Sequence, residues 1–222
     1  MELAGTQLSL RTAEELIVPT IRAIENDLFP GSTANQTKSR IYEQMHEVLE
    51  ELTVPVPTGT DEASPRTDPQ VSGVAIVPFV GEGDELVGNI LQRLLEGEGI
   101  DSALLPWKTL RSEKLQRLQE LGAKCVLISA VEARSAMSVG KMARSLQISL
   151  PDAVILIGLW SLPPEGAARL IRKIKESQTC SVYTDLDQAA KGIASLIIPG
   201  RVEARTESER SQEAVNPKIR EV

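Results

Sequence analysis

The feature of this sequence that most constrains its fold is a regular alternation between residues 71 and 199. Apolar, strand-like runs alternate there with stretches in which apolar residues recur every three or four positions, as in an amphipathic helix. The strand-like runs are almost continuously apolar, which is typical of strands buried on both faces of a sheet. There are five such runs, about 25 residues apart. They read VAIVPFV, SALLPW, KCVLISAV, AVILIGLW and CSVYT.

This alternation predicts an α/β domain built on a five-stranded parallel sheet with right-handed crossovers. The short repeat predicts a flavodoxin-like strand order of 2-1-3-4-5. Helices are predicted between the strands and after the last one, at 84–97, 111–121, 137–149, 165–177 and 186–197.

A two-helix element is predicted before the sheet, within residues 1–54. Its apolar positions recur at helical spacing. They are Leu16, Ile17, Ile21, Ile24 and Leu28 in the first helix, and Ile41, Met45, Val48, Leu49 and Leu52 in the second. Pro19 is expected to disturb the first helix. Two such helices cannot bury their own apolar faces, so they must pack on the second domain, a twin chain or a partner.

The remaining segments are polar and are expected to connect or to extend the two folded parts. Residues 55–70 are rich in proline and polar side chains, which predicts a linker. Residues 200–222 are charged and nearly free of apolar side chains, which predicts a disordered tail. The sheet domain is therefore expected to span 71–199.

Composition excludes several classes of function. A net charge of −7 and only 3% aromatic residues disfavour nucleic-acid binding. A single histidine makes a zinc centre improbable. Cys125 and Cys180 each stand in an apolar run, as expected of buried thiols in a reducing cytoplasm. No apolar run is long enough to span a membrane and no secretory signal is present, so a cytoplasmic location is expected.

The turn after the first strand, VGEGDE, is the principal candidate site because parallel sheets bind ligands beyond the carboxyl ends of their strands. Gly81, Glu82 and Gly83 begin like a dinucleotide fingerprint, but Leu86 stands where the third glycine belongs. The acids of the turn would repel a phosphate at the helix N-terminus. Asp84 is instead expected to cap that helix and to favour its dipole.

Other side chains are predicted at the same end of the sheet. Ser129 ends the third strand and either donates to a ligand or satisfies local backbone groups. Trp160 ends the fourth strand and either stacks on a ligand or covers the core. A phosphoreceiver site is excluded, because the third strand ends in LISAV without the required aspartate. An enzyme would have to use Glu82 and Asp84 to hold a divalent ion.

The order of these elements resembles the cobalamin-binding domain, which has a helical cap, a linker and a flavodoxin-like sheet. In that family the turn after the first strand reads Gly-Asp-x-His-x-x-Gly, and its histidine ligates cobalt. Aligned to this pattern, Glu82 stands at the Asp, Asp84 at the His and Val87 at the second Gly.

Two further segments carry the same resemblance. Ser129-Ala130-Val131 looks like the family's Ser-x-Leu segment near the nucleotide tail, and Gly158-Leu159 stands where a Gly-Gly pair is usual. The resemblance therefore implies a ligand site without its cobalt ligand, at Gly81, Glu82, Asp84, Ser129 and Gly158. Gly83 in the same turn and Trp160 at the rim of the crevice complete the predicted ligand site.

A closer resemblance covers residues 9 to about 198, to the soluble C-terminal domains of some autoinducer-two exporter-type permeases. It is carried by EELIVPTIRAIEND, GEGDELVGNILQRLLEGEGI and PDAVILIGLW. It implies a domain appended to membrane segments that lie outside this chain.

Together these observations predict a non-catalytic cytosolic regulatory or interaction domain of cobalamin-binding ancestry, with no obligatory cofactor. Its expected partners are a small-molecule effector in the crevice and a second copy, paired through the N-terminal helices into a four-helix bundle. The alternative is a corrinoid-binding module that holds cobalamin base-on, without a protein histidine.

Overall fold

The computed structural model describes residues 15–25, 34–51, 73–131, 136–160, 172 and 180–197. The predicted linker 55–70, the tail 200–222 and all but one residue of the helix predicted at 165–177 lie outside these ranges. Helix α1 spans 15–25 and helix α2 spans Ala34–Glu51. Pro19 lies within α1 without ending it.

The sheet domain follows the predicted alternation closely. Its strands are β1 Val74–Pro78, β2 Ser102–Leu104, β3 Cys125–Ala130, β4 Val154–Leu159 and β5 Ser181–Tyr183. Its helices are α3 Glu82–Gly97, α4 Arg111–Glu120, α5 Ala136–Ser149 and α6 Leu186–Ile197.

All strand pairs are parallel and the strand order is β2-β1-β3-β4-β5, which confirms the predicted α/β, flavodoxin-like architecture. The register aligns Pro78 with Ser129 and Ser129 with Gly158 on three adjacent strands. These three residues therefore lie side by side at the carboxyl edge of the sheet, where the crevice of such folds is found.

Successive side chains of a strand point to opposite faces, so the sheet separates two apolar layers. One layer joins Ile76, Leu127 and Leu156 to α3 and α6, and it includes the N-terminal helices. The other joins Val77, Ile128 and Ile157 to α4 and α5. Cys125 and Cys180 are both buried and neither belongs to a disulfide, as expected.

The N-terminal helices bury their apolar faces against the sheet domain of the same chain. Ile17, Ile21 and Ile24 of α1 lie in the layer that contains α3, together with Tyr42 and Leu49 of α2. Two of the apolar positions at helical spacing are not buried, since Leu16 is 63% exposed and Val48 is 50% exposed. Both side chains face solvent because the face of each helix that packs on the sheet domain is narrower than the set of apolar residues at helical spacing.

Candidate functional site

Asp84 is the central polar residue of the β1–α3 turn, and its side chain is 7% exposed. Its Oδ2 accepts hydrogen bonds from the backbone N–H of Val80 at 2.8 Å and of Gly81 at 3.1 Å. Its Oδ1 accepts one from the backbone N–H of Val131 at 2.7 Å. The carboxylate thus joins the start of α3 to the end of β3, a link between residues 47 positions apart.

The predicted capping role of Asp84 needs one correction. The N-cap position belongs to Gly81, and Asp84 is the third residue of the helix, reaching back to the backbone N–H of the N-cap. This is the reciprocal half of a capping box, because a glycine has no side chain to provide the other half. Burial raises the pKa of the Asp84 carboxyl above its usual range, while its three backbone donors act in the opposite direction.

The three acids of the turn serve three different elements. Asp84 turns inward, as described above. Glu85 Oε2 accepts from the backbone N–H of Trp107 at 3.0 Å, in the loop after β2. Glu82 Oε2 lies 3.5 Å from the hydroxyl of Ser39 on α2. The structure therefore does not bring Glu82 and Asp84 together around a common point, and no group of three potential metal ligands occurs among the described residues.

Ser129 and Trp160 form a buried hydrogen-bonded chain with the backbone of α3. The Ser129 hydroxyl donates to the carbonyl oxygen of Asp84 at 2.9 Å, and it accepts from the indole Nε1–H of Trp160 at 2.9 Å. Ser129 is fully buried and Trp160 is 1% exposed. Both residues thus use their polar groups within the chain, which is the ordinary requirement for buried donors and acceptors.

Gly158 lies directly beneath the indole ring of Trp160. A Cβ atom at this position would overlap the ring carbons, so only glycine leaves room for the side chain two residues later. The ring therefore fills the space beside Ser129 and Gly158 at the carboxyl edge of the sheet. The sequence pattern placed Trp160 near this edge, but it left open whether the ring covers the core or contacts a ligand.

Gly83 is the point at which the N-terminal helices touch the turn. A Cβ atom here would lie 3.0 Å from Ile21 Cγ2, 3.0 Å from the Tyr42 hydroxyl oxygen and 3.1 Å from Glu25 Oε1. Helices α1 and α2 thus pack directly on the first turn of α3. The carboxylate of Glu25 therefore lies beside the first turn of α3, and its negative charge disfavours an anion there.

Glu25 is held there by a polar cluster that sequence reasoning did not identify. Its Oε1 accepts from the Tyr42 hydroxyl at 2.7 Å, and its Oε2 contacts Lys38 Nζ at 2.5 Å. Burial, followed by the hydrogen bond to Glu25, raises the pKa of Tyr42 above its usual range. Glu25 and Lys38 belong to different helices, so spacing along the chain offers no signal for their contact.

Arg22 provides a second connection between α1 and the sheet. Its Nη2 donates to the backbone carbonyl oxygen of Trp160 at 2.7 Å, which joins residues 138 positions apart. On α3, Arg93 Nη1 donates to the carbonyl oxygen of Leu49 on α2 at 2.5 Å. The two helices are therefore attached to the sheet domain by hydrogen bonds as well as by apolar packing.

Comparison with known proteins adds little to this geometry. No family model matches the sequence, and no curated protein matches it. Among solved structures, the chain is similar to a novel cobalamin-binding protein from Desulfitobacterium hafniense DCB-2. The two share 13% sequence identity with a TM-score of 0.44, over 88% of this chain and 89% of that chain. A likeness of this size carries no information about a ligand of the present chain.

Proposed function

We propose that this chain is a non-catalytic regulatory or interaction domain of cobalamin-binding ancestry, whose ligand crevice is filled by its own side chains. The observation that carries the proposal is the position of Trp160, which lies against Gly158 and donates to Ser129. A bicyclic ring of the chain itself thus lies beside Ser129, which the family resemblance places near the nucleotide tail, and beside Gly158, which stands where a Gly-Gly pair is usual.

The residues of the crevice do not fit a corrinoid. A corrinoid needs room above the β1–α3 turn, but Gly83 there is in contact with Ile21, Tyr42 and Glu25 of the N-terminal helices. Asp84 stands at the position of the ligating histidine, yet both of its oxygens accept backbone hydrogen bonds. Opening this site would leave buried donors and acceptors without partners, which is costly. These contacts favour the closed domain over the base-on cobalamin module.

Exposure to hydroxocobalamin tests the proposal directly. The purified chain is mixed with hydroxocobalamin and desalted, and the visible spectrum of the protein fraction is recorded beside that of an authentic cobalamin-binding protein. We expect a colourless fraction, because the indole ring of Trp160 already lies against Ser129 and Gly158. Corrin colour retained in near-equimolar amount would contradict the proposal and support the base-on module.

We further propose that the domain is the cytosolic appendage of a membrane permease. The support is the resemblance of EELIVPTIRAIEND, GEGDELVGNILQRLLEGEGI and PDAVILIGLW to such domains. None of the described helices has the length and apolar character needed to span a bilayer. An antibody against this domain should detect a membrane-bound polypeptide larger than 24.1 kDa in the source cells. Detection of a detergent-independent soluble species of 24.1 kDa would count against the attachment.

A homodimer through the N-terminal helices remains part of the proposal. Its support is that Leu16 and Val48 are large apolar side chains left exposed on α1 and α2 after the inner faces have packed. Light scattering after size exclusion should give twice the chain mass, and the double variant Leu16→Glu/Val48→Glu should give the chain mass. The matched control Leu110→Glu, which changes an exposed leucine on the opposite face, should remain dimeric. A wild-type monomer at high concentration would contradict this arrangement.

A further inference from the structure

A separate cavity of about 400 Å³ lies between α4 and α5, on the face of the sheet opposite the crevice. Its volume falls in the range of about 300–1,000 Å³ that is usual for small-molecule sites. Most of its surface is apolar. The apolar side chains that line it are Val77, Leu115, Leu118, Met142 and Leu146.

The charged residues that line this cavity are both cations. Arg111 and Lys114 contribute to the lining, together with three serines, and no aspartate or glutamate does. This local excess of positive charge stands out in a chain whose net charge is −7. A cavity of this composition complements a ligand with one negative charge and an apolar body.

Lys114 carries the argument because its ammonium group is buried and poorly compensated. The residue is 6% exposed, and Nζ donates one hydrogen bond, to the carbonyl oxygen of Pro78 at 3.0 Å. Pro78 follows Val77 of the lining, so Nζ lies at the sheet end of the cavity. Within the described part of the chain, no carboxylate oxygen lies within 4.0 Å of Nζ. Burial lowers the pKa of Lys114, while the negative charges of Glu85 and Asp84 act in the opposite direction.

Arg111 lies at the solvent side of the same cavity. It is exposed, and its Nη2 donates to Ser145 Oγ on α5 at 2.5 Å, so it bridges the two helices. The cavity thus has one cation at its entrance and one at its inner end. An anion that enters between α4 and α5 passes Arg111 and reaches Lys114. There it would give the buried ammonium group a charged hydrogen-bond partner, which stabilises a buried charge.

We propose that this cavity binds a small carboxylic acid with an apolar body. Its carboxylate accepts hydrogen bonds from Lys114 Nζ, and its apolar part lies against Leu115, Met142 and Leu146. The site lies across the sheet from Trp160 and Gly158, so it does not depend on whether the crevice is closed. It would give the proposed regulatory domain a place for an effector that the filled crevice does not offer.

Titration of the full, ¹⁵N-labelled chain with decanoate, below its aggregation concentration, tests the proposal. We expect saturable shifts of the backbone amides of Val77, Leu115 and Ser145. Decanol, which lacks the charge, and acetate, which lacks the apolar body, should each bind at least about tenfold more weakly. Three results would overturn the proposal. They are equal affinity for decanol and decanoate, amide shifts centred on Gly83 and Trp160, and the absence of saturable binding.

Three variants assign the effect to the two cations. Lys114→Met keeps an apolar stem of similar length and should weaken decanoate binding about tenfold, the order expected for one charge-assisted hydrogen bond. Arg111→Gln changes an exposed residue and should weaken it several-fold. Lys141→Met, an exposed lysine of α5 outside the lining, should leave it unchanged.

Circular dichroism of each variant establishes that it is folded. If Lys114→Met does not fold, Arg111→Gln remains a test, because its side chain is exposed. The proposal would be overturned if the folded Lys114→Met variant bound decanoate with wild-type affinity. If Lys114→Met is not folded, wild-type affinity of Arg111→Gln would overturn it.

Discussion

The indole Nε1 of Trp160 donates to the hydroxyl of Ser129 at 2.9 Å, and both side chains are buried at the carboxyl edge of the sheet. In parallel sheets this edge is where ligands usually bind. Here the contact is part of the internal packing, because the ring also lies against Gly158 and the Ser129 hydroxyl donates to the backbone carbonyl oxygen of Asp84. Ser129, Gly158 and Trp160, which the sequence predicted as ligand-binding residues, thus contribute to the internal packing of the domain.

Replacing Asp84 with asparagine should destabilise the chain by about 1–3 kcal/mol. The NH₂ group of asparagine is a donor, and it would have to replace one of the two carboxylate oxygens of Asp84. It would then face either the N–H of Val131 or the N–H groups of Val80 and Gly81, and these buried backbone donors would lose their acceptor. Urea unfolding measures the change. Glu82→Gln in the same turn is the matched control and should shift stability by less than about 0.5 kcal/mol. Equal effects of the two changes would show that Asp84 is not the structural link described.

Introducing a methyl group at Gly158 should displace the indole of Trp160. Gly158→Ala is expected to lower stability by about 1–3 kcal/mol, the usual cost of overpacking a core. In a Trp107→Phe background, the emission of Trp160 should shift to longer wavelength as the ring becomes hydrated. Gly97→Ala, at an exposed glycine with no atom near the added methyl group, should change neither quantity. An unshifted spectrum in Gly158→Ala would contradict the predicted overlap.

The hydrogen bond between Tyr42 and Glu25 should contribute to the attachment of the N-terminal helices. A double-mutant cycle with Tyr42→Phe and Glu25→Gln is expected to give a coupling free energy of about 1–2 kcal/mol, since one partner is charged and the contact is partly buried. The matched cycle of Arg117→Gln and Glu113→Gln, an exposed ion pair on α4, should give less than about 0.5 kcal/mol. Coupling energies that do not differ would argue against a special role for Tyr42.

Cys125 should be unreactive as long as the chain is folded. Burial raises the pKa of this thiol from 9.0 to about 12, so at pH 9 it is protonated in the folded chain and partly ionised in the unfolded one. The raised folded-state pKa therefore makes the chain less stable at high pH. As the pH rises from 9 toward 12, the thiol ionises in the unfolded state but stays protonated in the folded state, so the free energy of unfolding decreases.

Ellman's reagent at pH 9, applied to a Cys180→Ala variant, reports on Cys125 alone. We expect slow reaction of the folded chain and complete reaction in urea. The converse variant Cys125→Ala shows the contribution of Cys180 under the same conditions. Rapid labelling of the folded Cys180→Ala variant would contradict the burial of Cys125.

Much of this fold could be predicted from the sequence. The runs VAIVPFV and KCVLISAV are long, apolar and bounded by polar turns, so each indicates a buried strand without knowledge of its neighbours. The helix that follows the first strand was also evident from its periodicity. The helical spacing did not show which apolar positions of α1 and α2 are buried, because the width of a buried stripe depends on the surface against which the helix packs. Leu16 and Val48 were included for their spacing and are exposed.

The candidate site was predictable only in its location. Gly83 and Asp84 were recognised as parts of a turn at the edge of the sheet, but their partners were not. Glu25 contacts this turn from α1, and the backbone N–H of Val131 reaches Asp84 from the end of β3. Lys114 was not singled out at all, because a lysine within a polar helix gives no sign that it is buried.

The sequence by itself determined the alternation of strands and helices, their order along the chain and the end of the sheet at which a site would lie. These properties depend on hydrophobic periodicity and turn residues, which act over a few positions. Only the tertiary structure decided that Trp160 packs against Gly158, that Glu25 lies beside the turn, and that a cavity lies between α4 and α5. The deciding contacts join residues as far as 138 positions apart, and no local pattern encodes the direction of a side chain toward so distant a partner.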